Sequence, residues 1–192
     1  MLQVIEAARH LGSRTLEDGT ELIGHVPHVA PEAWLHIIYA PLSQARVEDV
    51  SIQIGRPVAK EYQSFLQRMN GLSLFSGELS LFGLRSDFRR TGDAVRQPFS
   101  IRTPNTVERP RDADEALVFI GSYFDDGSML YIDPHTSEVH RCSRTSVESL
   151  NRWKSFFVFL DSEAERLATL FDVEGRMIDP SVSTAPSPAL PV

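Results

Sequence analysis

One cysteine, Cys142, stands in a chain of 192 residues, so no internal disulfide can form and the staple common to small secreted domains is missing. Nothing at the start resembles a signal peptide, and a reducing, cytoplasmic home is the expectation. A surplus of basic charge is also lacking. Nineteen Lys and Arg face 26 Asp and Glu, for a net charge of −7, and this argues against a general DNA or RNA coat, whose phosphate contacts need cations. Apolar runs such as Trp34 to Ala40 fall far short of the roughly 20 residues that span a bilayer, so no membrane segment is expected. No fixed-period repeat is visible, which excludes solenoids and propellers.

What is present is ordinary globular material, with 42% apolar residues in a length suited to one domain or one domain with extensions. An acidic surface of this size suits a basic protein partner. Charge is unevenly spread. Between Arg85 and Arg111 seven arginines face Asp87, Asp93 and Glu108, a local balance of +4 that leaves −11 for the rest. With Pro98, Pro104 and Pro110 and no periodicity, this stretch reads as a long, partly irregular connection whose arginines keep it solvated.

Leu2, Ile5, Ala8 and Leu11 have helical spacing, and Gly12 can end that helix in a left-handed conformation. Trp34 to Tyr39, between Pro31 and Pro41, reads as a strand. Ser43 is placed to cap a helix running to about Ile54, stopped by Gly55 and Pro57. Val58, Tyr62, Phe65, Leu66 and Met69 form one face of the next helix, which Asn70-Gly71 closes. Strands are expected at Leu79–Leu84 and Ala116–Tyr123. An Asp125-Asp126-Gly127 turn then leads into a meander through Met129–Asp133 and Glu138–Cys142. Trp153 to Phe171 has three/four spacing, with Thr145 and Glu148 as a capping box near its start and a second box, Ser162 with Glu165, marking a break at Asp161-Ser162. The aromatic set Trp34, Phe65, Phe75, Phe82, Phe119, Phe156, Phe157 and Phe171 is assigned to the core, while Phe88 and Phe99 are open to anchoring a partner or packing down their loop.

The series Val58-Ala59-Lys60-Glu61-Tyr62-Gln63-Ser64-Phe65-Leu66, Asn70-Gly71, Leu74-Phe75, Gly77 and Leu79-Ser80-Leu81-Phe82-Gly83 resembles the signature of the SUKH superfamily. That superfamily includes fungal cell-wall synthesis regulators and bacterial immunity proteins of polymorphic toxin systems. Phe119 to Tyr123, Asp125 to Ser128 and Trp153 to Phe171 fit it too. One departure is Ala59, where the family usually has proline; here Pro57 lies two residues earlier. The resemblance implies an α+β fold with a mostly antiparallel central sheet flanked by helices, over residues 43–178. Residues 1–42 are then an N-terminal helix and strand extension, and 179–192 a Pro-rich, disordered tail. It also implies action by binding, as in immunity proteins that block a cognate toxin, often a nuclease.

Chemistry-bearing residues are weighed against that expectation. His25 with His28, and His140 with Cys142, have spacings seen in metal ligands, yet no Cys-x-x-Cys or His-Glu-x-x-His pattern supports a zinc site. Cys142 with His140 lacks the geometry of a nucleophile and its base, and Gly71, Gly77 and Gly83 follow a helix instead of preceding one, unlike a phosphate cradle. No catalytic residue, metal or cofactor is assigned. Asp125, Asp126 and Asp133, with Glu78 and Asp87, are the carboxylates expected to meet a partner, since hairpin tips project into solvent. The expectation is a non-enzymatic module that binds a cognate toxin or other basic protein, with no nucleic acid and no membrane as partner. A regulatory interaction domain without a toxin, or a hydrolase using N-terminal His and Asp residues, stand as the alternatives.

Overall fold

Among the described residues, each strand but the last pairs with the strand that follows it. The computed structural model describes residues 1–87 and 96–189, and among them nine strands form one antiparallel sheet in chain order. They are β1 Ser13–Thr15, β2 Glu21–His25, β3 Trp34–Ile38, β4 Leu72–Leu74, β5 Leu79–Leu81, β6 Val118–Tyr123, β7 Met129–Ile132, β8 Val139–Cys142 and β9 Asn151–Trp153. The helices are α1 Leu2–Ala7, α2 Gln44–Ile54, α3 Lys60–Leu66, α4 Arg102–Thr106 and α5 Phe156–Ala168, with 3₁₀ turns at Ala8–Leu11 and Phe75–Gly77. The fold is α+β. No helix among the described residues is long and apolar enough to cross a membrane.

Strand alternation sorts the apolar residues onto two faces. Leu130, Ile132 and Val139 join Ile5, Val47, Tyr62, Phe65, Phe156 and Leu160 in the main core, against α1, α2, α3 and α5. Met129, Tyr131 and Cys142, together with Phe119, form a smaller core on the opposite face. Because both faces are covered, Leu79, Ser80 and Leu81 are all buried, so β5 is shorter than expected and shows no alternation of exposure. The same main core takes Ile5, Ala8, Ile23, Val26 and Leu35 from the first 42 residues. Since β3 also pairs with β4, the division expected at residue 42 has no counterpart in the packing.

Local signals explain several boundaries. Ser43 Oγ accepts the Arg46 N–H at 3.4 Å, and Gly55, at φ 73° and ψ 20°, closes α2 in the left-handed conformation that costs glycine no Cβ clash. Gly12 is different: at φ 110° and ψ 158° it leads the 3₁₀ turn straight into β1 instead of forming a left-handed helix end. Asn70 was expected to close a helix. It is buried, and its amide instead donates to Leu84 O at 2.8 Å and accepts from Leu84 N at 2.6 Å. Gly83 lies so close beneath it that an added Cβ would meet Asn70 O at 2.2 Å.

The final helix also begins later than the capping box predicted. Ser155 caps it, accepting from Val158 N at 3.4 Å, while Trp153 belongs to β9 and Thr145 and Glu148 precede that strand. A run of aromatic residues at three/four spacing spans both a strand and a helix here, because both deliver side chains to the same core. The helix continues through Asp161-Ser162, where Ser162 Oγ donates to Phe159 O at 3.0 Å and stays within the turn. Phe157 is 36% exposed, so its assignment to the core is corrected.

The expected disorder after Asp179 is corrected as far as residue 189. Thr184 and Ala185 are buried; Thr184 Oγ1 donates to Glu78 Oε2 at 2.5 Å and its carbonyl accepts from Arg166 Nη2 at 2.6 Å. Asn151 Nδ2 donates to Ser187 O at 2.8 Å, and Ala189 N to Leu150 O at 2.8 Å. Composition argued against a core, but a proline-rich strap needs only an existing surface with polar groups to satisfy. Under this strap Tyr123 donates to Glu163 at 2.6 Å, and Glu163 is held by Arg166 at 2.8 Å.

Candidate functional site

The open part of the second sheet face is built by the connection that reads as irregular in the sequence. Beyond β5, Gly83 N donates to Phe99 O and Ile101 N to Gly83 O, both at 2.9 Å, which pins residues 99–101 beside the strand. Asn105 of α4 is fully buried and replaces a ladder partner. Its amide donates to Phe119 O at 2.7 Å and to Ile101 O at 2.8 Å, and it accepts from Phe119 N at 2.9 Å. Arg109 is likewise structural, donating to Leu117 O and Asp114 O with its guanidinium 5.3 Å from the Phe119 ring. Not every arginine of this stretch is therefore a solubilising surface charge.

With this wall fixed on one side and the β6–β7 hairpin tip on the other, a groove of about 600 Å³ remains, floored by Ser80 and Ser122. Two large aromatic side chains border it in solvent, Phe99 at 62% and Phe124 at 78% exposure. Arg85, Glu108 and Arg144 supply its charge, with Arg144 Nη2 3.6 Å from Glu108 Oε2. That pair is exposed on both sides and adds little to stability, so it is available to rearrange against a partner. Phe88, one of the two phenylalanines singled out in this connection, lies outside the described residues.

The five expected partner carboxylates do not form one patch. Asp126 Oδ2 lies 2.7 Å from Nη1 of the buried Arg141 and its Oδ1 accepts from Ser128 N at 2.9 Å. Asp125 accepts from Ser183 Oγ and Glu78 from Thr184 of the strap. These three share one end of the sheet, beside the groove, but they are engaged within the fold. Asp133 sits at the other end of β7, where its carboxylate caps the His135 N–H at 2.8 Å. Asp87 lines a separate cavity of about 370 Å³ together with Glu17, Asp18 and Arg96.

The candidate ligand pairs separate as well. His25 Nε2 is 2.9 Å from Pro31 O, whereas His140 stacks on Tyr131 and its Nδ1 contacts Ser149 Oγ at 2.8 Å. Cys142 is buried, and burial pushes its thiol up to about 12, which holds it as the unreactive thiol at neutral pH. Among the described residues, no three His, Cys, Asp or Glu side chains are placed to share a metal ion.

Two features escaped the sequence reading. Phe124 ends the apolar β6 run immediately before Asp125-Asp126-Gly127, and that place at a hairpin tip was the available sign that it projects outward. His36, to which the sequence reading assigns no role, is 1% exposed. Its place between Leu35 and Ile37 in a strand covered on both faces was the signal.

No family model matches the chain and no curated protein matches it.

Proposed function

We propose that this protein is a non-enzymatic, cytoplasmic binding module of the SUKH type that neutralises a cognate protein toxin. The observation that carries the reading is the groove between Phe99 and Phe124. Large aromatic side chains held in solvent beside a concave surface match the anchors that dominate protein interfaces, where their burial supplies affinity. The residues around them are fixed by Asn105, Gly83 and the Asp126–Arg141 pair, so the surface is ordered before a partner arrives, which lowers the entropic cost of association. The net charge of −7 favours approach of a basic partner at long range, while the groove itself, with Arg85 and Arg144 beside Glu108, offers its aromatic rings as the contact. The five carboxylates act in this reading through the field and the framework more than by direct pairing.

The test is co-expression with the toxic product of a gene adjacent to its own, scored by cell survival and by co-purification. Wild-type protein is expected to protect and to co-purify with one basic protein at equal stoichiometry. The Phe99→Ser, Phe124→Ser double variant is expected to fold and to lose protection. Full protection by that variant, or no protection by wild type against any adjacent product, refutes the proposal.

A further inference from the structure

The strap from Val182 to Ala189 contains no helix or strand, yet it reaches four successive residues at the tip of the β6–β7 hairpin. Tyr123 Oη donates to Glu163 Oε2 at 2.6 Å, and Arg166, which holds that carboxylate at 2.8 Å, also donates to Thr184 O at 2.6 Å. Phe124 N donates to Glu78 O at 3.0 Å, and the Glu78 carboxylate accepts from Thr184 Oγ1 at 2.5 Å. Asp125 accepts from Ser183 Oγ. Asp126 pairs with Arg141, Arg141 Nε donates to Asn151 Oδ1 at 2.7 Å, and Asn151 Nδ2 donates to Ser187 O at 2.8 Å.

These links converge on Phe124. Its side chain is 78% exposed, so little packing holds the ring, and its place beside the groove is set by the backbone on either side. That backbone is tied to the strap through residues 123, 125 and 126 and through Glu78. The strap itself is lightly held. Thr184 and Ala185 are buried, while residues 181–183 and 187–189 are exposed. A segment with so few buried contacts opens at a lower free energy than the core beneath it. Pro180, Pro186 and Pro188 restrict the released chain, so that less entropy is lost when it docks again.

We propose that the strap is a conformational latch for the groove: docked, it holds the hairpin tip with Phe124 presented to a partner, and released, it frees the tip and withdraws that anchor. The strap and residues 123–126 then open as one unit while the rest of β6 stays paired. Ser183 and Thr184 are positioning residues in this device, acting on Phe124 through Asp125 and Glu78. By linkage, a partner that binds the ordered tip also tightens the strap. The consequence for binding rests on the groove being the partner site, whereas the coupling itself is measured on the free protein.

The test is amide hydrogen exchange of the full chain, followed residue by residue by NMR. In the wild type, the Phe124 N–H and the Ala189 N–H, which donates to Leu150 O at 2.8 Å, are expected to share one protection factor. The Phe82 N–H, bonded to Ile120 O at 2.8 Å further along the same strand pair, is expected to be more strongly protected. Ser183→Ala, Thr184→Val removes both hydroxyls and keeps the volume of the buried residue. It is expected to speed exchange at Phe124 and Ala189 together by roughly tenfold, and at Phe82 by less. Unchanged exchange at Phe124, or an equal acceleration at Phe82 that marks general loss of stability, overturns the proposal. Unequal protection of Phe124 and Ala189 in the wild type also overturns it, and that comparison carries the test if the variant does not fold. Failure here leaves the groove as the partner site, and failure of the groove variants to lose protection leaves the coupling in place.

Discussion

Replacing Asp126 by alanine separates a framework role from a partner-contact role, because the carboxylate neutralises a side chain that cannot reach water. Arg141 is 2% exposed; its Nη1 donates to Asp126 Oδ2 at 2.7 Å and to Ser128 Oγ at 3.2 Å, and its Nε to Asn151 Oδ1 at 2.7 Å. Removing one member of a fully buried pair costs about 3–5 kcal/mol, since the remaining charge is stranded. The Asp126 side chain is 39% exposed, and two neutral acceptors remain on the guanidinium, so the expected loss is about 2 kcal/mol. Urea unfolding at pH 7 measures it as a lower midpoint at unchanged slope. The Asp126→Leu, Arg141→Leu double variant, which removes both charges, is expected to recover to within about 1 kcal/mol of wild type. A loss below about 0.5 kcal/mol for Asp126→Ala refutes this account and returns Asp126 to the surface.

Four further outcomes are expected. Phe65→Ala, in the aromatic cluster where Phe65 stacks on Tyr62 and meets Phe156 edge-on, should lower stability by about 3–5 kcal/mol, whereas the half-exposed Phe157→Ala should cost under about 1 kcal/mol; equal losses contradict the helix faces. Tyr62→Phe removes the single hydroxyl proton shared between Phe82 O and Ile120 O, at about 1–3 kcal/mol in thermal or urea unfolding. Ending the chain after Asp179 removes the contacts of Thr184, Ser187 and Ala189 and should cost about 2 kcal/mol; unchanged stability shows that the strap adds nothing. Finally, His36 has its pKa lowered from 6.5 to about 4 by burial alone. Between those values the unfolded chain takes up a proton that the folded one does not, so this contribution is full above pH 6.5. It is lost as pH falls to about 4, at about 3 kcal/mol in total. His36→Leu should flatten that part of the stability–pH curve, and a wild-type slope retained in the variant assigns the loss to other groups.

The strands and helices whose evidence is local were legible without coordinates. Ser43, Gly55, the β3 run, the α3 face from Tyr62 to Leu66 and the Asp125–Gly127 turn carry their own caps, periods and turn chemistry, which depend on neighbours a few residues away. Periodicity failed where one core draws on two kinds of element, as when Trp153 on β9 and Phe156 on α5 together imitate one long helix. Composition failed at the strap, since whether Pro-rich chain is ordered depends on Glu78, Arg166 and Asn151, which are distant in sequence.

The candidate sites divide the same way. The sequence by itself determined the net charge, the single thiol and the hairpin carrying Asp125 and Asp126, because these follow from residue identity and short-range geometry; the α+β class came from the family resemblance and is the class the structure has. Only the tertiary structure decided that Asp126 is spent on buried Arg141, that Asn70 and Asn105 stand in for strand partners, that Phe99 and Phe124 face one groove, and that His36 is buried against Phe75. Each of those depends on which groups distant in the chain reach one another before water does, and burial turns an unmet charge or hydrogen bond from a negligible cost into a decisive one.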